Sequence, residues 1–173
     1  MKQRVTATVI LALIACLPVV APRLTYAQNT VHVLGTFVKE GVAPPPEAVS
    51  EAKMFIDIAK AFPLKERTWR WIIIADDTMW YQMLIKMGID HNQQVEYYGQ
   101  TDIDRGITFI RGWTLLHPDR SGFEGCPEHV IAHEMAHVYL HSRDEKMVEE
   151  TARQWVIKYR GNETADEARD CTL

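Results

Sequence analysis

His133, Glu134 and His137 stand in the run His-Glu-Met-Ala-His. On a helix, residues four apart lie on one face, so both imidazoles can reach one metal ion. Glu134 falls about 100° round the helix from His133, beside such an ion rather than on it. There it can take a proton from a water held at the ion. Zn²⁺ suits this chemistry, because it lowers the pKa of a bound water to about 7.

The surroundings support a built site. Pro127 and Glu128 make a good first helical turn after Cys126. The helix expected from Pro127 to His141 is apolar nearly all round, apart from His129, His133, Glu134, His137 and His141. A helix of that kind is buried. Buried His and Glu side chains are costly without a partner, and a metal ion is a natural one.

A third protein ligand is required. His141 shares the face of His133 and His137, but residues eight apart are about 12 Å apart along the axis. One ion with bonds near 2.1 Å cannot be reached by both ends. Cys126 lies about 10 Å before His133 on the same count. The better source is the next helix, in which Met147, Val148, Thr151, Ala152, Trp155, Val156 and Tyr159 keep helical spacing until Gly161. Ser142 to Glu145 is polar and can turn the chain. Glu149 and Glu150 both lie in this second helix.

The run HEMAHVYLH…VEETARQW, within roughly residues 106–157, resembles the gluzincins, zinc peptidases with HExxH and a later glutamate. The compact spacing is similar to their small members, the minigluzincin-like and ImmA/IrrE-type domains. Those often carry Asn where this chain has Arg153. The resemblance implies one Zn²⁺ held by His133, His137 and Glu149, with water as fourth ligand and Glu134 as general base. Glu149 stands three before Ala152, as in the family's ExxA pattern, with Glu150 the other candidate. It implies a zincin-like α+β fold, in which a small twisted sheet packs on the HExxH helix and the glutamate helix. It also gives the Gly106–Arg111 strand a role as a sheet edge that pairs with extended substrate. The oxyanion donor would be Tyr97, Tyr98, His117 or Tyr159.

The elements that must position this site can be read upstream. Val31 to Val38 alternates loosely, a short strand. Gly41 to Pro46 is a stiff proline-rich connector, and Pro46 can open a helix. Val49, Ala52, Phe55, Ile56, Ala59 and Phe62 follow at helical spacing, a core stripe stopped by Pro63. Trp69 to Ala75 is aromatic and β-branched, hence a central strand. Asp76 or Asp77 can cap a helix over Thr78–Met87, which Gly88 ends. Ile89 to Asp104 is polar and reads as a long loop with a short strand at Val95–Tyr98. Gly106 to Arg111 is a strand, and Leu116 to Gly122 a turn.

The 173 residues carry 19 basic and 23 acidic side chains, a net charge of −4. No basic cluster is present, which excludes a phosphate-binding nucleic-acid surface. The N-terminus has the three-part build of a secretory signal peptide. Met1 to Arg4 is basic, Val5 to Val20 is apolar, and Thr25 and Ala27 sit at −3 and −1 of a cut before Gln28. Residues 1–27 are therefore expected to be an export signal and 28–173 a single domain. The alternative is a lipobox at Leu13-Ile14-Ala15-Cys16, anchoring the chain through Cys16. Cutting before Gln28 removes Lys2, Arg4 and Arg23 and leaves 16 basic against 23 acidic residues, a net of −7. Export places the protein outside the cell or in a periplasm, where Cys126 and Cys171 are expected to pair.

The expectation is an exported zinc peptidase acting on a peptide or protein, with no nucleic-acid partner and no membrane segment after signal removal. The competing expectation is a zinc domain that recognises a protein partner and cleaves nothing. Closure of the site by Cys126 or His141 as fourth ligand would favour it, because structural zinc sites have four protein ligands.

Overall fold

A computed structural model describes residues 11–12, 18–19, 24–26, 29–35, 45–66, 68–89, 97–117 and 125–161. The chain is α+β. Its elements are β1 (Leu11–Ala12), β2 (Pro18–Val19), β3 (Leu24–Tyr26), β4 (Asn29–Leu34), α1 (Pro46–Ala59), β5 (Arg70–Ile74) and α2 (Asp77–Lys86). They continue as β6 (Gly99–Asp102), β7 (Ile107–Arg111), α3 (Gly112–Leu116), α4 (Pro127–Leu140) and α5 (Glu145–Arg160). The mixed sheet has the order β3-β4-β5-β7-β6. Strands β4, β5 and β7 run parallel, with antiparallel β3 and β6 at the two edges. Among the described residues, β1 and β2 pair only with each other. β1 to β3 fall in the stretch expected to be a signal peptide, so a cut before Gln28 would leave a four-stranded sheet with β4 at its edge.

One sheet face carries Trp71, Ile73 and Ile110 and packs against α1 and α4, while α5 packs on α4 and joins the same core. The other carries Ile74, which packs with Trp80 and Leu84 of α2. β5 is central, as its composition predicts. Strand β7 is not a sheet edge. It lies between β5 and β6, and four of its five residues are buried. β6 is the edge strand, in a segment read as loop. Gly99-Gln100-Thr101-Asp102 has no apolar alternation, and its pairing with Ile107–Ile110 makes the strand.

Local chemistry sets several boundaries. Pro46 is the first residue of α1, since its missing N–H costs nothing there. The buried face of α1 is Ala48, Glu51, Ala52, Phe55, Ile58 and Ala59. Val49, expected in the core, is 46% exposed, and Ile56 is only partly buried. Asp76 caps α2, its Oδ1 accepting from the Met79 N–H at 3.0 Å. Gly112 to Leu116 forms α3, which ends where the expected Leu116–Gly122 turn begins; residues 118–122 of that turn lie outside the described residues. Arg111, at the end of β7, donates from Nε and Nη2 to the two carboxylate oxygens of Asp77 at 2.8 Å each. That bidentate pair ties the sheet to the start of α2.

α4 packs most extensively on α5. At the start of α4, Glu128 meets Arg160 from the end of α5, and both side chains are buried. The Arg160 Nε donates to Glu128 Oε1 at 3.0 Å. Cys126 is the N-cap of α4 and is disulfide-bonded. Its partner, like the expected Cys171, lies outside the described residues. At the other end of α4, His141 takes a left-handed conformation, φ 50°, and turns the chain toward α5.

Candidate metal centre

The site forms where α4 faces α5 and the edge strand β6. The α4 helix is buried as its composition predicts, and its His129, His133, Glu134 and His137 line a cavity of about 680 Å³ between these elements. Helical spacing puts His129, His133 and His137 on one line, one turn apart. On α5, Glu145 and Glu149 are also one turn apart and face that line.

Hydrogen bonds fix the imidazole tautomers. His137 Nδ1 lies 2.8 Å from the Ser142 carbonyl, which can only accept, so Nδ1 carries the proton. His133 Nδ1 lies 3.2 Å from Glu149 Oε2. The His129 and His133 rings hold the Glu149 carboxyl well below the usual carboxylate range, so it is an acceptor and His133 Nδ1 donates. Both Nε2 atoms are then left as acceptors. They face each other at 3.2 Å. Glu145 Oε2 completes the triangle, 3.2 Å from His133 Nε2 and 3.5 Å from His137 Nε2. Three lone-pair donors cannot sit so close without a cation or a proton among them.

The triangle has the dimensions of a metal site. Bonds of 2.0–2.1 Å at tetrahedral angles put ligand atoms about 3.3 Å apart. The three observed separations bracket that value. Among the described residues, two groups have donor atoms within 4.8 Å of one another, His133–His137–Glu145 and His129–His133–Glu149. The expected trio of His133, His137 and Glu149 is not one of them. Glu149 is brought to His133, but at Nδ1, on the side away from His137. Glu150 points elsewhere, accepting from Gln154 Nε2 at 3.1 Å on an exposed surface. Cys126 and His141 belong to neither group.

Glu134 is buried beside this triangle. Its Oε2 accepts from the Thr101 hydroxyl at 2.5 Å. Thr101 and Thr108 are cross-strand partners on β6 and β7, with their hydroxyls 2.8 Å apart. Thr108 Oγ1 in turn lies 3.0 Å from Trp69 Nε1. An indole N–H only donates, which orders the chain: Trp69 donates to Thr108, Thr108 to Thr101, and Thr101 to Glu134. Gly99, two residues before Thr101 on the same face of β6, leaves room for the carboxylate. A Cβ there would stand 2.6 Å from Glu134 Cγ.

The electrostatics are mutual. Burial raises the Glu134 pKa, opposed by His133, His137 and the Thr101 hydrogen bond. At His133, burial disfavours the charged ring, but the Glu149 hydrogen bond and the nearby carboxylates outweigh it, so its pKa is raised. A divalent cation would relieve both conflicts, neutralising the carboxylates and replacing the proton.

Of the four candidate oxyanion donors, Tyr97 and Tyr98 line the cavity. His117 is bound to the Trp113 carbonyl at 3.1 Å, and Tyr159 packs on Phe62. Sequence reasoning missed Glu145, Thr101 and Gly99. The signal for Glu145 was the four-residue step from Glu145 to Glu149, which matches the step of the α4 histidines. No protein-family model, curated protein or solved structure matches this chain.

Proposed function

We propose that the protein is an exported zinc metallohydrolase of the zincin-like kind, cleaving peptide bonds. The observation that carries this is the triangle of His133 Nε2, His137 Nε2 and Glu145 Oε2, with the buried Glu134 carboxylate beside it. His133 and His137 are the imidazole ligands. Glu145 is the carboxylate ligand that these distances favour, and Glu149 holds His133 in the correct tautomer. Bound Zn²⁺ would supply Lewis acidity and an activated water.

The chain's own groups then divide the work. Glu134 takes the water's proton at its carboxylate and passes it to the leaving amine. Burial raises its pKa, which suits a base that must later act as an acid. The Thr101 O–H fixes the direction of that carboxylate. Of the two tyrosines that line the cavity, Tyr98 packs on the α4 side of the sheet and is the candidate donor for the developing oxyanion, while Tyr97 packs with the α2-side cluster. The free edge of β6 offers backbone N–H and C=O groups to an extended peptide. This role moves from β7 to β6, since β7 lies inside the sheet and β6 is the edge strand beside the cavity. Export rests on the build of residues 1–27. Among the described residues, no helix is long and apolar enough to cross a membrane.

The test is metal content together with cleavage of a peptide library. The wild type should hold one zinc and cut peptides. E134Q should keep the zinc and lose cleavage. E145Q should lower zinc affinity more than E149Q; the reverse order would return the ligand role to Glu149. A zinc-loaded wild type that cuts nothing would point to the partner-recognition reading instead.

A further inference from the structure

His129 is the one histidine of the α4 line outside the proposed ligand set, and it is 3% exposed. It cannot bind the same ion as His137, because eight residues of helix separate them by about 12 Å. Yet a buried imidazole needs a partner, and it has one in Glu149. We propose that His129 is a positioning residue for His133, acting through a shared oxygen of Glu149. This rests on the reading of His133 as a metal ligand.

The geometry is a convergent pair of donors. His129 Nε2 lies 3.0 Å from Glu149 Oε2, and His133 Nδ1 lies 3.2 Å from the same atom. The other oxygen, Oε1, accepts from Arg153 Nε at 2.7 Å. Arg153 is half exposed and tethers Glu149 from the solvent side only. His129 tethers it from within. Removing the His129 N–H leaves Glu149 free to follow Arg153 outward. His133 Nδ1 then loses its fixed acceptor, and the ring can turn its Nε2 out of the triangle. Groups that orient a metal-bound histidine in this way commonly contribute 10–100-fold to metal affinity. His129 acts one step further out, so the low end of that range applies.

The same three atoms could instead hold a second ion, since their donor atoms lie within 4.8 Å of one another. Zinc titration against a chromophoric chelator separates the two readings, using the full chain and Zn²⁺ alone. The wild type should bind one zinc. H129L, which fills space but donates nothing, should weaken binding about tenfold. H129Q, whose amide can reach Glu149, should stay within about threefold of wild type. In an E149Q background, H129L should cost little more, because the path already runs through Glu149. If H129L does not fold, H129N, polar but too short to reach, takes its place. Equal affinities for H129L and wild type, or equal losses in H129L and H129Q, would overturn the proposal. So would two zinc ions in the wild type and one in H129L. A wild type that binds no zinc would refute the metal reading itself.

Discussion

Glu51 offers a sharp test of the packing logic, away from the metal site. It is 5% exposed on the face of α1 that meets α3, and its Oε2 has no hydrogen-bond partner among the described residues. Its carboxyl lies against Gly112, the first residue of α3. Burial, with Glu47 and Asp77 nearby, pushes its pKa up to about 7 from 4.5. The folded state therefore holds this proton more tightly than the unfolded chain. The sign follows by linkage: Glu51 costs nothing below about pH 4.5, where both states are protonated. Stability falls as pH rises from about 4.5 to 7, where only the unfolded state has ionised. Above about pH 7 the loss is complete and flat. A shift of about 2.5 units at 1.36 kcal/mol each gives an upper figure of about 3.4 kcal/mol. Solvent screening at the rim reduces this to about 1–3 kcal/mol. E51Q mimics the protonated side chain and does not titrate. Urea unfolding of both proteins in chelator, from pH 4.5 to 8.5, reads the difference directly. E51Q should match the wild type at the acid end and become more stable by about 1–3 kcal/mol by pH 8. A gap that stays constant across the range would refute the buried-carboxyl account.

Other substitutions test the site. G99A puts a Cβ against the Glu134 side chain and should cost about 1–3 kcal/mol in unfolding measurements, along with peptide cleavage. T101V removes the donor to Glu134 and should lower kcat about 10–100-fold with zinc affinity unchanged, while T101S should restore most of it. H141G relieves the left-handed strain at the end of α4, and thermal melts should show a gain of about 0.5–1 kcal/mol. Zinc titration of the same variant should match wild type, since His141 takes no part in the triangle.

Much of the arrangement is legible in the residues. Four-residue spacing alone puts His133 and His137 on one face, and the apolar content of Val130–Leu140 requires that face to be buried. What sequence cannot supply is the direction in which side chains from separate elements approach. Glu145 reads as part of a polar turn, because its role depends on α5 starting at that residue beneath its Asp144 cap. Glu149 lies next to His133, but only the packed helices decide which ring nitrogen it meets. β6 has no strand signature of its own, and Thr101 acquires meaning only opposite Thr108. Glu51 looks like a solvated helix residue until α3 closes over it, and Val49 takes the exposed position beside it.

Gly99 has a consequence for how the sheet assembles. Side chains alternate along a strand, so a one-residue slip of β6 past β7 would reverse every side chain it presents to α4. Thr101 would leave Glu134, and a residue with a Cβ would replace Gly99 beneath the carboxylate. Short polar strands carry little information to prevent such a slip. Here the information comes from Glu134: one carboxylate accepts a hydroxyl and excludes a methyl two residues away. Glu134 thus proofreads the register of the edge strand, and a misaligned β6 cannot coexist with the Thr101–Glu134 contact.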